Sequence, residues 1–311
     1  MTIALTIFPS LLSARDVSII QKAQAANIIE ANNAVASSYP SLTNSIATKK
    51  VTVGDIEVAY KIFGKGEPLF LIPGFSMTMD MWDPIVLNKL SSNHTIIIFD
   101  NRGIGDTNAG NKSPSIQQFA TDIAGLIDVL GFKKSVDILG LSMGGFIAQE
   151  LALLHPEKVN RLIIYASSCG GKESLPPQVS PEVMTSMISG NATLDIFAST
   201  LFPKEWIREH TDYIQKNIAL PMDKVSKQSL QRQFEANSKW TGTCSRLSTI
   251  TKPKLVITGT EDITSPPVNS LRIAEKIPGA WLVQIRRGGH GVMFQYPEEF
   301  TAVVETFLSV T

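Results

Sequence analysis

Residues 140–144 read Gly-Leu-Ser-Met-Gly, a single hydroxyl, Ser142, between small neighbours. The apolar run "VDIL" enters this stretch, and the helically spaced "GGFIAQELALL" leaves it. A serine hydroxyl is a weak nucleophile at neutral pH. It needs a base to take its proton, and the base needs a carboxylate to orient it. A nucleophile on a tight strand-to-helix turn is pushed out above the sheet edge, and small neighbours let strand and helix approach closely. The same turn aims the next backbone N–H, that of Met143, into the space above the serine, where the start of the helix favours negative charge.

The partners are sought in other glycine-rich turns. His290 lies in "RRGGHGVMF", after the last apolar run, where small residues let an imidazole swing toward the sheet edge. Asp262 lies in "GTEDITSPP", just past another such run. Glu261 competes for the acid role, but the shorter side chain of Asp262 suits a tight turn better. The other three histidines read as structural or solvated: His94 starts a strand at the opposite edge, His155 precedes Pro156, and His210 lies in a helical stretch. An acyl-transfer site also needs two donors for a developing oxyanion. Met143 supplies one. The second is expected from "LIPGFSM", where Gly74 allows a sharp turn and the N–H of Phe75 or Ser76 faces the pocket. Losing one such donor costs about 3–4 kcal/mol of transition-state stabilisation.

These groups need a scaffold. Short continuous apolar runs recur at 68–74, 95–100, 136–142, 161–167, 254–260 and 280–290. Such runs fit strands covered on both faces, as in a parallel sheet. Residues 49–64 alternate around Gly54-Asp55 and predict an antiparallel hairpin. Helical stripes at 115–132, 144–159 and 301–308 separate or follow the runs. Strands alternating with helices predict an α/β domain with its site at the C-terminal ends of parallel strands. Residues 170–243 break the rhythm with helical stretches and no good strand. The expected organisation is an extension over 1–45, a core of 46–169 and 244–311, and a helical lid over 170–243. Within that lid Met184, Met187, Ile188, Phe197, Leu201, Phe202, Trp206 and Ile207 either line an apolar substrate pocket or pack the lid's own core. Ser76, Met184, Phe197 and Trp206 are the candidate substrate contacts.

These motifs together resemble the α/β-hydrolase fold superfamily, in particular its esterase and cofactor-free haloperoxidase-like members, over nearly all of 50–311. "GLSMGG" resembles the nucleophile elbow, and "IPGF" the oxyanion loop, with Pro73 where His is frequent. "FDNRGIGDT" is similar to the D-x-R-G-x-G-x-S loop, with Thr107 for Ser. "GTEDITSPP" and "GGHGVMFQYPEEF" resemble the acid and histidine loops. The resemblance implies a mostly parallel eight-stranded sheet flanked by helices, with the lid inserted after the sixth strand. It also implies a Ser142–His290–Asp262 triad acting on small-molecule esters without metal or other cofactor. A serine nucleophile separates the chain from dehalogenases and epoxide hydrolases, which use Asp there. "PGFS" lacks the H-G-G-P-G look of proline iminopeptidases. The alternatives are perhydrolysis, C–C or lactone hydrolysis, and, outside enzymes, a ligand receptor on the same scaffold.

Composition narrows the partners. Lys plus Arg and Asp plus Glu each number 28, so the formal net charge is zero, with no dense basic run to attract nucleic acid or anionic lipid. The apolar stretch 2–15 is broken by Pro9 and falls short of the roughly 20 residues that a membrane span needs. Residues 1–25 are a candidate signal segment ending in Ala23-Gln24-Ala25. No basic residue precedes Arg15, however, so a cytoplasmic location is the expectation and export the alternative. Cys169 and Cys244 are the only cysteines. They match no metal site and read as two separate thiols, a bridge near the lid hinge being the alternative. The triplets at Asn93, Asn111 and Asn191 fit glycosylation sequons and say little about location. Oligomeric state is not readable.

Overall fold

The apolar runs become strands of one sheet in a computed structural model that describes residues 45–218, 220 and 225–311. The expected hairpin is β1 (Lys49–Val53) and β2 (Ile56–Gly64), which pairs Val53 with Ile56 and turns at Gly54 with φ 57°. Next come β3 (Glu67–Ile72), α1 (Pro84–Leu90), β4 (His94–Phe99), α2 (Ile116–Val129), β5 (Val136–Leu141), α3 (Met143–Leu154) and β6 (Val159–Tyr165). Between β6 and the next strand lie α4 (Pro181–Ser189), α5 (Leu194–Leu201), α6 (Lys204–Glu209), α7 (Thr211–Asn217) and α8 (Lys227–Lys239). The chain then completes the sheet with β7 (Lys254–Gly259), α9 (Pro267–Lys276), β8 (Trp281–Ile285), α10 (Val292–Gln295) and α11 (Pro297–Val310). The strand order is β1-β2-β4-β3-β5-β6-β7-β8. β2 runs antiparallel to both its neighbours, and every pairing from β4 to β8 is parallel.

Alternation along each strand divides the core into two layers, because successive side chains point to opposite faces. Phe70, Ile97, Ile138, Ile164 and Val256 pack on one face with the apolar stripes of α2, α3 and α9. Leu69, Ile98, Leu139, Ile163 and Leu255 pack on the other with α1 and α11. This double covering explains why the central strands read as unbroken apolar runs. It also places β5 in the middle of the sheet, between β3 and β6, with Gly140 level with Ile72 and Ile164.

The lead-in 1–45 and the candidate signal segment 1–25 lie outside the described residues, apart from Ser45. No helix among the described residues is long and apolar enough to cross a membrane. Helix α8 buries Leu230, Gln233 and Ala236, one stripe at helical spacing. The two cysteines, expected as separate thiols, are joined: Cys169 and Cys244 form a disulfide with Cα atoms 5.0 Å apart. Sequence distance concealed this. The two residues sit at the two ends of the insertion, where β6 and β7 run side by side, and Thr243 N–H donates to the Cys169 carbonyl at 2.7 Å.

Helix α1 opens on a buried charge. Asp83 caps it by accepting from the N–H of Ile85 at 2.9 Å and of Val86 at 3.0 Å. Burial pushes its carboxyl up to about 7, against those two bonds. A folded value above the unfolded one means that the folded state binds the proton more tightly. The contribution of this group to stability is therefore full below about pH 4 and lost as pH rises through about 7. Asn caps as well as Asp and carries no charge. Asp83→Asn should thus gain melting temperature relative to the parent protein at pH 8, compared with the same difference at pH 5. Paired thermal melts measure this, and an equal difference at both pH values contradicts it.

Candidate active site

Ser142 stands between β5 and α3 with φ 54° and ψ −116°. A non-glycine residue held there stores about 1–3 kcal/mol and persists only where its surroundings impose it. Here they do. The Ser142 N–H donates to the Tyr165 carbonyl of the adjacent strand at 2.9 Å. The Ser142 carbonyl accepts from Gly145 N–H and Ser167 Oγ, both at 2.8 Å. The flanking glycines are steric necessities. A Cβ on Gly140 would collide with the Gly144 carbonyl, and one on Gly144 with the Ile72 carbonyl. Strand and helix therefore meet backbone to backbone.

Asp262 and His290 come together from the turns after β7 and β8. The ring Nδ1 of His290 lies 2.8 Å from Asp262 Oδ2, and both side chains are buried. Asp262 Oδ1 accepts from the N–H of Thr264 at 2.9 Å and of Ser265 at 2.7 Å, which fixes the carboxylate plane. Glu261, the competing acid, is exposed, and its backbone N–H donates to Gly288 O. Nε2 is the ring nitrogen with no hydrogen bond among the described residues. Among the described residues no hydrogen bond joins it to Ser142 Oγ, a link that commonly tightens only with substrate bound. Sequence reasoning missed Tyr165. Its backbone carbonyl holds Ser142, while its hydroxyl donates to the His290 carbonyl at 2.6 Å and accepts from Met293 N–H at 3.2 Å. Complete burial pushes that hydroxyl far above the ordinary tyrosine range, so it remains a donor. One residue, through its backbone and its side chain, thereby ties the serine turn to the histidine loop.

The loop after β3 faces the same turn. A Cβ on Gly74 would stand 3.4 Å from Ser142 Cβ. Asn101 Nδ2 donates to the Pro73 carbonyl at 3.3 Å, and Asp100 accepts from Met79 N–H at 2.7 Å. The "FDNRGIGDT" segment thus braces this loop, and Arg102 anchors the segment in turn between Asp122 and Asp55. Of the two N–H groups considered for the oxyanion, that of Ser76 is occupied: it donates to Gln233 Oε1 of α8 at 2.8 Å. The N–H groups of Phe75 and Met143 have no backbone or side-chain acceptor among the described residues, the latter at the first position of α3. Gln233 was also missed. Its signal is a polar residue midway between Leu230 and Ala236 on an otherwise apolar stripe.

Phe197 and Phe202 form a buried cluster with Ile214 and Ile218, against which Trp206, Met187, Leu201 and Ile207 pack together with Met81 and Phe294 from outside the insertion. Phe197 and Trp206 therefore share a cluster, whereas Met184 is half-buried and joins none of the buried clusters. His94 bonds Glu305 at 3.2 Å, His155 caps α3, and His210 stacks on Trp206 with ring centroids 4.1 Å apart. Among the described residues none of these three hydrogen-bonds Ser142 or Asp262. Among the described residues no group of three or more His, Cys, Asp or Glu is placed to hold a metal ion.

Residues 67–297 match a family model described as the alpha/beta hydrolase fold. A putative carbamate hydrolase, RutD, of Azorhizobium caulinodans is 27% identical over 256 residues, covering 82% of this chain and 96% of that protein. A putative non-heme bromoperoxidase, BpoC, of Mycobacterium tuberculosis is 29% identical over 266 residues, covering 82% and 99%. A pimeloyl-[acyl-carrier protein] methyl ester esterase of Aeromonas hydrophila is 25% identical over 265 residues, covering 81% and 100%.

Proposed function

This chain belongs to the α/β-hydrolase fold family, and we propose that within it the protein is a serine hydrolase that cleaves carboxylic esters of small to medium apolar substrates through an acyl-enzyme. The observations that carry the reading are the buried Asp262–His290 pair, in which Nδ1 is the bonded ring nitrogen, and the strained turn that holds Ser142 at φ 54°. In the first half-reaction Ser142 Oγ bonds to the ester carbonyl carbon as its proton passes to His290 Nε2. The carbonyl oxygen becomes an oxyanion held by the N–H groups of Phe75 and Met143. Collapse breaks the bond to the alkoxide, which leaves with the proton from His290. Water then repeats the sequence on the acyl-enzyme, releasing the acid and free Ser142. Asp262 keeps the Nδ1 proton in place and balances the imidazolium.

The likeness to a methyl ester esterase supports ester cleavage, and the likeness to a bromoperoxidase supports a second use of the same acyl-enzyme. There hydrogen peroxide takes the place of water and the product is a peracid. Helices α4–α8 serve in this reading as the lid, with Phe197 and Trp206 bounding the apolar pocket and Met184 at its margin. The test is labelling with a fluorophosphonate and mapping of the modified peptide. An adduct on Ser142, together with turnover of nitrophenyl esters that peaks at short or medium chains, supports the proposal. An adduct elsewhere overturns the mechanism, and activity that climbs past twelve carbons overturns the substrate class. Bromination in peroxide that depends on added carboxylate separates the second use from the first.

A further inference from the structure

Gln233 and Ser76 are joined by one hydrogen bond, and each keeps a polar atom with no partner among the described residues. Gln233 Oε1 accepts the Ser76 N–H at 2.8 Å. Gln233 Nε2 and Ser76 Oγ are buried without a partner among the described residues. The residues are 1% and 2% exposed. The amide cannot be turned the other way, because only its oxygen accepts from an N–H, so Nε2 is fixed as the unmet donor. An unmet buried donor or acceptor costs about 1–3 kcal/mol. Helix α8 could have carried a leucine between Leu230 and Ala236 at no such cost.

The loop that carries Ser76 also faces Ser142. Gly74 abuts Ser142 Cβ, and Met77 N–H closes a turn onto the Gly74 carbonyl at 3.3 Å. Ser76 lies inside that turn with φ 62°, a left-handed conformation that a non-glycine residue rarely keeps without support. Two residues of chain span at most about 7 Å. The Ser76 backbone is therefore within roughly 12 Å of Ser142 Cβ, inside the reach of a substrate of small to medium size. The leaving alkoxide must face His290, which protonates it. Among the described residues neither Ser76 nor Gln233 bonds to His290, and the acyl side of the substrate is the part assigned to them here.

From this we infer that Gln233 Nε2 and Ser76 Oγ form a polar subsite that hydrogen-bonds an oxygen atom carried on the acyl chain near the scissile carbonyl. The inference rests on the proposed ester chemistry and narrows it to acyl groups bearing an alkoxy, hydroxy or oxo oxygen. Gln233 acts through the substrate's acyl group and takes no part in proton transfer.

The probes are 4-nitrophenyl methoxyacetate and 4-nitrophenyl butanoate, which differ by one oxygen in place of a methylene. The readout is the ratio of their kcat/KM values, divided by the same ratio in a variant, so that intrinsic reactivity cancels. Gln233→Leu should lower the preference for methoxyacetate tenfold or more, and Ser76→Ala should lower it less. Gln233→Glu keeps the acceptor for Ser76 N–H and, assayed at alkaline pH where the buried carboxyl is ionised, presents no donor in place of Nε2, so it should lose the preference as well. It serves as the second variant should Gln233→Leu not fold. A ratio within twofold of the parent in both Gln233→Glu and Ser76→Ala overturns the inference and leaves the pair holding water alone. If the protein turns over neither ester, the ester reading has failed. The subsite is then read from labelling of Ser142 by the matched pair of phosphonofluoridates with and without the ether oxygen. A tenfold preference for the ether-bearing reagent that Gln233→Glu abolishes supports the subsite, and equal labelling rates overturn it.

Discussion

Ser142→Ala is expected to lower kcat for ester cleavage by roughly a million-fold, to the residual rate that oxyanion donors and substrate positioning sustain. The fold should not suffer, because Ser142 Oγ holds no hydrogen bond among the described residues and alanine keeps the same Cβ. His290→Ala should fall as far, and the double variant no further, because groups that act as one unit do not add. Asp262→Asn is the more discriminating change. Oδ1 of Asp262 faces the N–H groups of Thr264 and Ser265, so the oxygen of the new amide must stay there. Its NH2 group then points at His290 Nδ1, where a donor meets a donor. The ring can accept that contact only by moving its own proton to Nε2, and an Nε2 that carries a proton cannot take one from Ser142. A fall of about 10⁴-fold in kcat with the fold intact is the expected result. Steady-state kinetics on a nitrophenyl ester, with thermal melts alongside, measure all four proteins. Activity of Ser142→Ala within tenfold of the parent would place the nucleophile elsewhere.

The parts of this site that were legible in the sequence are those in which one residue type answers one local demand. Glycines at 140 and 144 mark the close approach of β5 and α3, and they can be read from spacing because the collision they avoid is local. The choice of Asp262 over Glu261 followed from side-chain length in a tight turn, and the structure buries the first and exposes the second. The strands were legible because a sheet covered on both faces demands apolar residues at every position. Contacts made across the chain were not legible. Gln233 reaches Ser76 over 157 positions, and Tyr165 reaches His290 over 125. Nothing local in "SLQRQFEA" or "RLIIYAS" states what the polar atom will meet. Between Phe75 and Ser76 the sequence left two oxyanion donors open. The structure occupies one of them with a side chain from the insertion, a fact that depends on where α8 lies rather than on the turn itself.

Reduction of the Cys169–Cys244 bridge is expected to lower the unfolding free energy by about 4 kcal/mol. This follows from the 75-residue separation of the two sulfurs, since a longer closed loop removes more freedom from the unfolded chain. For a chain of this size, such a loss corresponds to a fall of roughly 8–16 °C in Tm. The folded state should change little, because the ends of the insertion are held by other bonds. Gln149 Nε2 donates to the Gly145 and Ser168 carbonyls, both at 2.9 Å, and Gln149 Oε1 accepts from Thr243 Oγ1 at 2.6 Å. The buried Glu150 accepts from Trp240 Nε1 at 2.8 Å and from the Arg246 guanidinium at 2.7 and 3.0 Å. Helix α3, which starts just after Ser142, is thus fastened to the far end of the insertion whether or not the sulfurs are joined. The reduced protein and the Cys169→Ala/Cys244→Ala variant should share the lowered Tm and retain kcat within about twofold at 25 °C, where both remain folded. A large loss of kcat at that temperature would instead mean that the bridge holds the insertion over Ser142. Alkylation before reduction provides the direct check, with neither cysteine labelled in the native protein and both labelled after reductant. Such bonds persist where thiols are not kept reduced. In a reducing cytosol the expected species is therefore the dithiol with the lower melting temperature, and in an oxidising compartment the bridged one.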